Sequence, residues 1–300
     1  MNDIITVDGR IVKAIAGFFY VDTDDYGIVE CHAKGALRKC EYRPLAGDRV
    51  SVEILDEQKR KGSLIRIYER KNSCIRPEVA NADQAYVIFA YDSPAPNFLL
   101  LDRFLILLEK QGLKCSIVFN KSDLCDEGKC HETSLIYEDS GYKVYEVSAR
   151  NNKGIDELRR SLDGSVTVLA GPSGVGKSSI INLLFPEAQA KTGEISRKSE
   201  RGKHTTRHSE LFMLDHDTYI MDTPGFTALQ FSKDMEEAEL KDYYHEFYIF
   251  EGGCKFDGCS HTHEPGCAIK EAVSSGKISK MRYTGYVSLY EELKEQNRYN

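Results

Sequence analysis

Gly171-Pro172-Ser173-Gly174-Val175-Gly176-Lys177-Ser178 matches G-x-x-x-x-G-K-[ST] at every fixed position. Glycines at this spacing let backbone N–H groups turn inward around phosphate oxygens. A helix beginning at the end of the loop adds its partial positive charge. Lys177 is placed to reach β- and γ-phosphates, and the Ser178 hydroxyl to ligate Mg²⁺, with Ser179 beside it at the nucleotide. The apolar run Val166 to Ala170 predicts a strand entering the loop, and Ser179 to Leu184 a helix leaving it. That context disfavours the plain alternative, a Gly-rich turn that binds nothing.

Asn120-Lys121-Ser122-Asp123 follows a second apolar run, Cys115 to Phe119. It resembles the N-K-x-D motif with which GTPases read guanine. The resemblance implies that Asp123 accepts the guanine N1 and N2 hydrogens, Asn120 ties the base edge to the loops, and Lys121 packs over the ring. Adenine lacks that donor pair and would leave a buried carboxylate unpaired. Ser148-Ala149-Arg150, after the run Val144 to Val147, resembles the companion S-A-K loop, with Arg150 in place of lysine. Alone, either stretch also reads as a helix cap or a surface turn. Asp222-Thr223-Pro224-Gly225 resembles the D-x-x-G switch. Asp222 would then belong to the Mg²⁺ shell, directly or through water, and the Gly225 N–H would meet the γ-phosphate. The plainer reading is an ordinary strand-end turn.

In this chain the base motif precedes the phosphate loop, the reverse of ordinary small GTPases, so the order is that of circularly permuted GTPases. Between loop and switch, Gly193 to His208 is polar and basic. Thr206, or its neighbour Thr205, is the candidate Mg²⁺ ligand there, in the manner of a first switch. Phe226 follows Gly225 where Ras-like enzymes carry a water-orienting glutamine, and an apolar ring cannot polarise water. Hydrolysis unaided is therefore expected to be slow. His204 is the candidate helper, since imidazole titrates near neutrality; contact with a partner or solvent is the plainer role for it.

Cys254-x4-Cys259-x-His261-x5-Cys267 gathers three thiols and one imidazole within fourteen positions. Such a set is a closed tetrahedral structural zinc site, with no position left for a catalytic water. His263 is a rival ligand. The C-P-x-x-C pattern of nucleobase deaminases is absent.

The scaffold for these groups begins with residues 1–72, which read as short strands: Ile11 to Ile15, Phe18 to Val21, Arg49 to Ile54 and Ser63 to Tyr68. Glycine turns separate them, and a small β-barrel is expected. Residues 73–232 alternate strands with helices, which predicts a parallel α/β sheet covered on both faces. Residues 233–300 are expected to be a mostly α, zinc-binding region. The formal net charge of −7 over 300 residues argues against one large basic nucleic-acid face. The opening Met1-Asn2-Asp3-Ile4 has no basic stretch before an apolar run, so no signal peptide is expected, and no run is long enough to span a bilayer. A cytosolic location follows, in which the remaining cysteines (Cys31, Cys40, Cys74, Cys115, Cys125 and Cys130) should be free thiols.

Taken together, the permuted motifs, Gly47-Asp48-Arg49-Val50, Arg76-Pro77, Ala80-Asn81-Ala82-Asp83-Gln84, Leu101-Asp102-Arg103-Phe104, His204-Thr205-Thr206 and the Cys259 to Cys267 segment resemble the RsgA-type family of circularly permuted GTPases. The resemblance implies an N-terminal OB-fold, a central GTPase domain and a C-terminal zinc domain. It implies a monomer that binds GTP, GDP, the small (30S) ribosomal subunit and its rRNA, with no membrane or DNA partner. Late 30S maturation would be its task, with hydrolysis stimulated by the subunit. Phe18, Phe19, Tyr20 and Tyr42 either stack on bases or fill the barrel core. Lys270, Lys277, Lys280 and Arg282 form either a phosphate-binding patch or a solvated face. A P-loop ATPase or kinase and a non-catalytic RNA-binding zinc protein are the competing readings, opposed by Asp123 and by the intact Lys177, Ser178 and Asp222 respectively.

Overall fold

The computed structural model describes residues 5–35, 37, 43–75, 77–185, 210–215, 217–222 and 230–298. The chain forms two compact units: residues 1–85, 157–169 and 181–224 make up the first, and residues 86–156, 170–180 and 225–300 the second.

In the first unit, β1 (Thr6–Ile15), β2 (Phe18–Thr23), β3 (Gly27–Ala33), β4 (Arg49–Asp56) and β5 (Lys61–Ile67) close a barrel in the order β1-β2-β3-β5-β4. The β3–β5 pair is parallel and the rest are antiparallel, an OB-fold arrangement. Alternate residues point inward, so Ile11, Val21, Val29, Cys31, Val50, Val52 and Leu64 form a fully buried core. Phe19 belongs to it, whereas Phe18 is exposed and Tyr20 half-buried; Tyr42 lies outside the described residues. Strand β3 escaped the sequence reading because Glu30 and His32 alternate with only two strongly apolar positions. A short ribbon of β6 (Ser73–Ile75) and β7 (Glu78–Ala80) follows.

The central sheet comprises β8 (Gln84–Ala90), β9 (Lys114–Asn120), β10 (Lys143–Glu146), β11 (Val166–Ala170), β12 (Leu211–Asp215) and β13 (Thr218–Asp222), in the order β10-β9-β8-β11-β13-β12. Helices α1 (Phe98–Glu109), α2 (Glu127–Glu138), α3 (Ile155–Arg160) and α4 (Lys177–Leu184) alternate with its strands. The expected parallel pairing is present between β9 and β10 and between β11 and β13, and the edge strand β12 departs from it by running antiparallel to β13. The two residues joining them are too few for a parallel crossover, and Asp217 at φ +59° suits a tight hairpin turn. Helix α2 was also missed. It is polar on most sides and buries only Cys130, Ser134 and Tyr137, while Asp126 caps it by accepting from Gly128 and Lys129 N–H groups.

Two cysteine expectations separate here. Cys31, Cys74 and Cys115 are buried free thiols. Cys125 and Cys130 instead form a disulfide, because the cap and first turn of α2 bring their Cα atoms to 6.0 Å; Cys40 lies outside the described residues.

The C-terminal part of the second unit holds 3₁₀ segments at Glu237–Tyr243 and His245–Phe250, then α5 (Ala268–Ser274) and α6 (Lys280–Arg298). Its core includes Met235, Leu240, Tyr244, Phe247, Ile269, Tyr286, Leu289 and Leu293. Arg282 corrects the expectation of a surface patch, being 1% exposed. Its guanidinium donates to Asp102 Oδ1 at 2.5 Å and Glu246 Oε1 at 2.9 Å, and it lies 4.4 Å from the Tyr244 ring centroid. Burying one cation is tolerable because two carboxylates and an aromatic face surround it. Gly285 permits this approach: a Cβ there would sit 2.7 Å from Asp102 Oδ2.

Candidate nucleotide site and Cys/His centre

The base-recognition residues of the second unit converge at the carboxyl ends of β9 and β10, where open α/β sheets bind ligands. Asn120, the last residue of β9, is 1% exposed. Its amide donates to the Val175 carbonyl at 2.8 Å, and its Oδ1 accepts from the Ala149 N–H at 3.0 Å. One side chain thus fastens the phosphate loop and the Ser148-Ala149-Arg150 loop together. Gly176 is required at this junction: it holds φ +93°, and a Cβ would lie 2.3 Å from Asn120 Nδ2.

Lys121 adopts φ +62°. Its ammonium donates to the Gly174 carbonyl at 2.8 Å and also to the Ser93 carbonyl. Ser122 opens a 3₁₀ turn, Ser122–Leu124, and its N–H donates to the Val147 carbonyl at 3.1 Å. The Ser148 hydroxyl donates to Asp123 Oδ1 at 2.6 Å and accepts from the Asn151 N–H at 3.1 Å. Ser148 thereby orients the carboxylate expected to read the base. Asn120, Lys121, Asp123, Leu124, Ala149, Arg150, Gly176 and Ser179 line a cavity of 290 Å³.

The phosphate loop runs from β11 into α4 as expected. Val175 is buried and anchors the loop, whereas Ser173, Gly174, Ser178 and Ser179 face solvent. The Lys177 ammonium donates to the Gly171 and Pro172 carbonyls at 2.7 and 2.8 Å. In the first unit, Asp222 ends β13, in register with Leu169 of β11. Thr223, Pro224, Gly225, Phe226, His204, Thr205, Thr206 and Arg76 lie outside the described residues.

Two contributors were not singled out by sequence reading. Ser93 lies beyond β8, and only its strand-end position could have flagged it. The Ser148–Asp123 bond joins residues 25 apart, and no local pattern announces it.

All four expected metal donors come together. Cys254, Cys259, His261 and Cys267 place their donor atoms within 4.8 Å of one another. Cys254 Sγ lies 3.9 Å from Cys267 Sγ and 3.6 Å from His261 Nδ1, and Cys267 Sγ lies 3.4 Å from His261 Nδ1. A tetrahedron with zinc–sulfur bonds of about 2.3 Å and a zinc–nitrogen bond of about 2.0 Å requires S···S near 3.8 Å and S···N near 3.5 Å. The donor set therefore fits that ion. Burial, aided by the Lys241 charge, holds His261 below the usual imidazole range, so its ring is neutral and ligation-competent. Burial first, and the neighbouring Cys267 sulfur, raise the Cys259 thiol above its ordinary value. His263 is not in the cluster; its side chain is 78% exposed and lies 3.3 Å from Glu291. Glu264 organises the loop by accepting from the Ser260, Thr262 and His263 N–H groups. Tyr283 and Tyr286 donate to the carbonyls of His261 and Ser260.

Comparison with known proteins finds relatives over nearly the whole chain. The RsgA GTPase family model matches residues 67–232, and the RsgA N-terminal domain model matches residues 8–63. The small ribosomal subunit biogenesis GTPase RsgA of Agathobacter rectalis is 50% identical over 301 residues, covering 97% of this chain and 99% of its own length. Its counterpart in Caldanaerobacter subterraneus is 42% identical over 292 residues, covering 97% of each chain. The crystal structure of YjeQ from Thermotoga maritima superimposes with a TM-score of 0.80 at 34% identity, covering 96% of this chain and 99% of that one. That of YloQ, a circularly permuted GTPase, gives 0.78 at 34% identity, covering 97% and 96%. A base motif placed ahead of its phosphate loop, an OB barrel before both and matches spanning nearly the whole length have one common explanation: the chain belongs to the RsgA GTPase family.

Proposed function

We propose that this chain hydrolyses GTP to GDP and phosphate in the biogenesis of the small ribosomal subunit, slowly alone and faster on the 30S particle, at a late maturation step. The observation carrying this reading is the bonded constellation of Asn120, Asp123, Ser148 and Ala149 beside a complete phosphate loop. Asp123, held by Ser148, selects guanine through its two donor hydrogens. Backbone N–H groups from Ser173 to Ser179 and the Lys177 ammonium hold the phosphates. Ser178, Asp222 and Thr206 hold Mg²⁺, which supplies charge neutralisation at the phosphates when bound. The Gly225 N–H meets the γ-phosphate.

With Phe226 in the glutamine position, we assign water activation to His204, its imidazole taking the proton of the attacking water. A His204→Ala variant with unchanged nucleotide affinity and lost stimulated hydrolysis is the expected result, and unchanged stimulated hydrolysis would refute the assignment. One structural zinc ion per chain is held by Cys254, Cys259, His261 and Cys267. The domains proposed are 1–72 for RNA and ribosome binding, 73–232 for GTP hydrolysis and 233–300 around zinc, in a cytoplasmic monomer. No described helix is long and apolar enough to cross a membrane.

The deciding experiment is GTP turnover with and without small subunits, with ATP as control. Stimulation specific to GTP and to the small subunit supports the proposal. Slow GTP turnover without stimulation removes the ribosomal role, and ATP turnover removes guanine selection by Asp123.

A further inference from the structure

Within the first unit, three polar side chains of the barrel converge on one hairpin of the sheet. Lys13 of β1 forms an isolated antiparallel bridge with Glu210, and its ammonium lies 2.7 Å from Glu210 Oε2. Arg10 of β1 and Asp22 of β2 are cross-strand partners. Both engage Tyr219 of β13: the guanidinium lies 5.1 Å from the ring centroid, and the phenol O–H donates to Asp22 Oδ2 at 2.8 Å. Tyr219 is 4% exposed, and burial, then Asp22, pushes its hydroxyl above the usual phenol range, so this donor persists at any working pH.

These contacts hold the hairpin near both ends. Glu210 immediately precedes β12, and Tyr219 stands three residues before Asp222 on β13. The strands between are tied to each other from Leu211↔Met221 to Asp215↔Thr218, and β13 is tied to β11 from Tyr219↔Val166 to Asp222↔Leu169. The β12–β13 pairing carries a register shift between Met213 and Asp215, whereas β13 keeps unbroken register with β11 from Tyr219 to Asp222, so β13 is the strand through which a displacement of the barrel at Tyr219 reaches Asp222. The Lys13–Glu210 pair is 23% and 38% exposed, so it adds little to folding stability. Its value lies in fixing where the hairpin sits.

We propose that Lys13, Glu210, Asp22 and Tyr219 are positioning residues through which the barrel, on meeting the small subunit, sets the alignment of β13 and so carries the stimulation of GTP hydrolysis. This rests on the subunit-stimulated reading above. The test compares wild type, Lys13→Glu, Glu210→Lys and the double reversal in single-turnover GTP hydrolysis, alone and at saturating small subunit, with sedimentation to measure binding. Each single reversal should retain intrinsic turnover, melting temperature and subunit binding while losing about fivefold or more of the stimulation, and the double reversal should regain most of it. Full stimulation in either single variant, or no recovery in the double, would overturn the proposal. If a single reversal fails to fold, Tyr219→Phe removes only the hydroxyl and should lower stimulation alone; an unchanged value would equally overturn it. Absence of stimulation in wild type would count against the subunit reading instead, so the two failures remain distinct.

Discussion

The base pocket and the Cys/His centre lie in the same unit but are organised by opposite means. Around the base pocket, the side chains of Asn120, Lys121, Asp123 and Ser148 have protein partners, and only the buried Ser122 hydroxyl of that motif lacks one. Asn120 bridges two loops, Ser148 holds Asp123, and Lys121 bonds Gly174. In the Cys/His centre, Cys254, His261 and Cys267 face chiefly one another at 3.4 to 3.9 Å. A cation shared by those sulfurs would link metal binding to local folding. A nucleotide pocket must release its ligand repeatedly and is best built to stand without it; a structural metal centre has no such demand.

Removing a metal ligand should show the contrast most strongly. Cys254→Ser is expected to lose bound zinc and to destabilise the C-terminal region by several kcal/mol, while GDP binding survives at a temperature where the variant stays folded. Metal analysis, urea unfolding and calorimetric GDP titration check this. A variant without zinc but with unchanged stability would erase the distinction between the two regions.

The next effect concerns the joint beneath the Cys/His segment. Arg282→Met strands Asp102 and Glu246 in the interior and should cost about 3–5 kcal/mol in urea unfolding. Adding Asp102→Asn and Glu246→Gln should recover much of that loss, since the uncompensated charges are then gone.

In the base pocket, Asp123→Ala should weaken GDP binding by about 3 kcal/mol, roughly a hundredfold, through loss of two hydrogen bonds to a charged acceptor. Thermal stability should barely change, because neighbouring loops remain fastened by Asn120. A large drop in melting temperature would show that the pocket is less self-supporting than its bonds imply.

The smallest effect is a pH dependence. The Glu109 carboxylate, 3.3 Å from its Nε2, raises His245 above the usual imidazole range. The protonated form is favoured in the folded state, so this contribution is complete below about pH 6.5 and is lost as pH rises through the raised folded value. Urea unfolding between about pH 6 and about pH 8.5 should show a modest decline, and His245→Gln should flatten it. The effect stays small because His245 is partly exposed and solvent screens the pair.

Legibility in the sequence followed the distance over which each feature is decided. The phosphate loop and the Cys/His segment were readable because their chemistry is contiguous. The inward alternation of β1, β2, β4 and β5 was readable because pleat periodicity is local. By contrast, β3 and α2 carry weak periodicity and are held by the elements they pack against. Strand β12 took its direction from a hairpin turn. Arg282 looked like a surface cation because its two carboxylate partners lie 180 and 36 residues away.

Residue order was thus enough to single out the phosphate-loop pattern, the N-K-x-D pattern and the four Cys/His donors, since spacing along a strand–loop–helix or a cysteine-rich turn brings such groups together with no help from elsewhere. Long-range packing was needed for the rest: Ser148 orients Asp123, Asn120 and Gly176 interlock, Arg282 is buried, and barrel residues grip the hairpin leading to Asp222. Each of those depends on surfaces meeting across long stretches of chain, where burial and partner geometry, not local propensity, set the free energy.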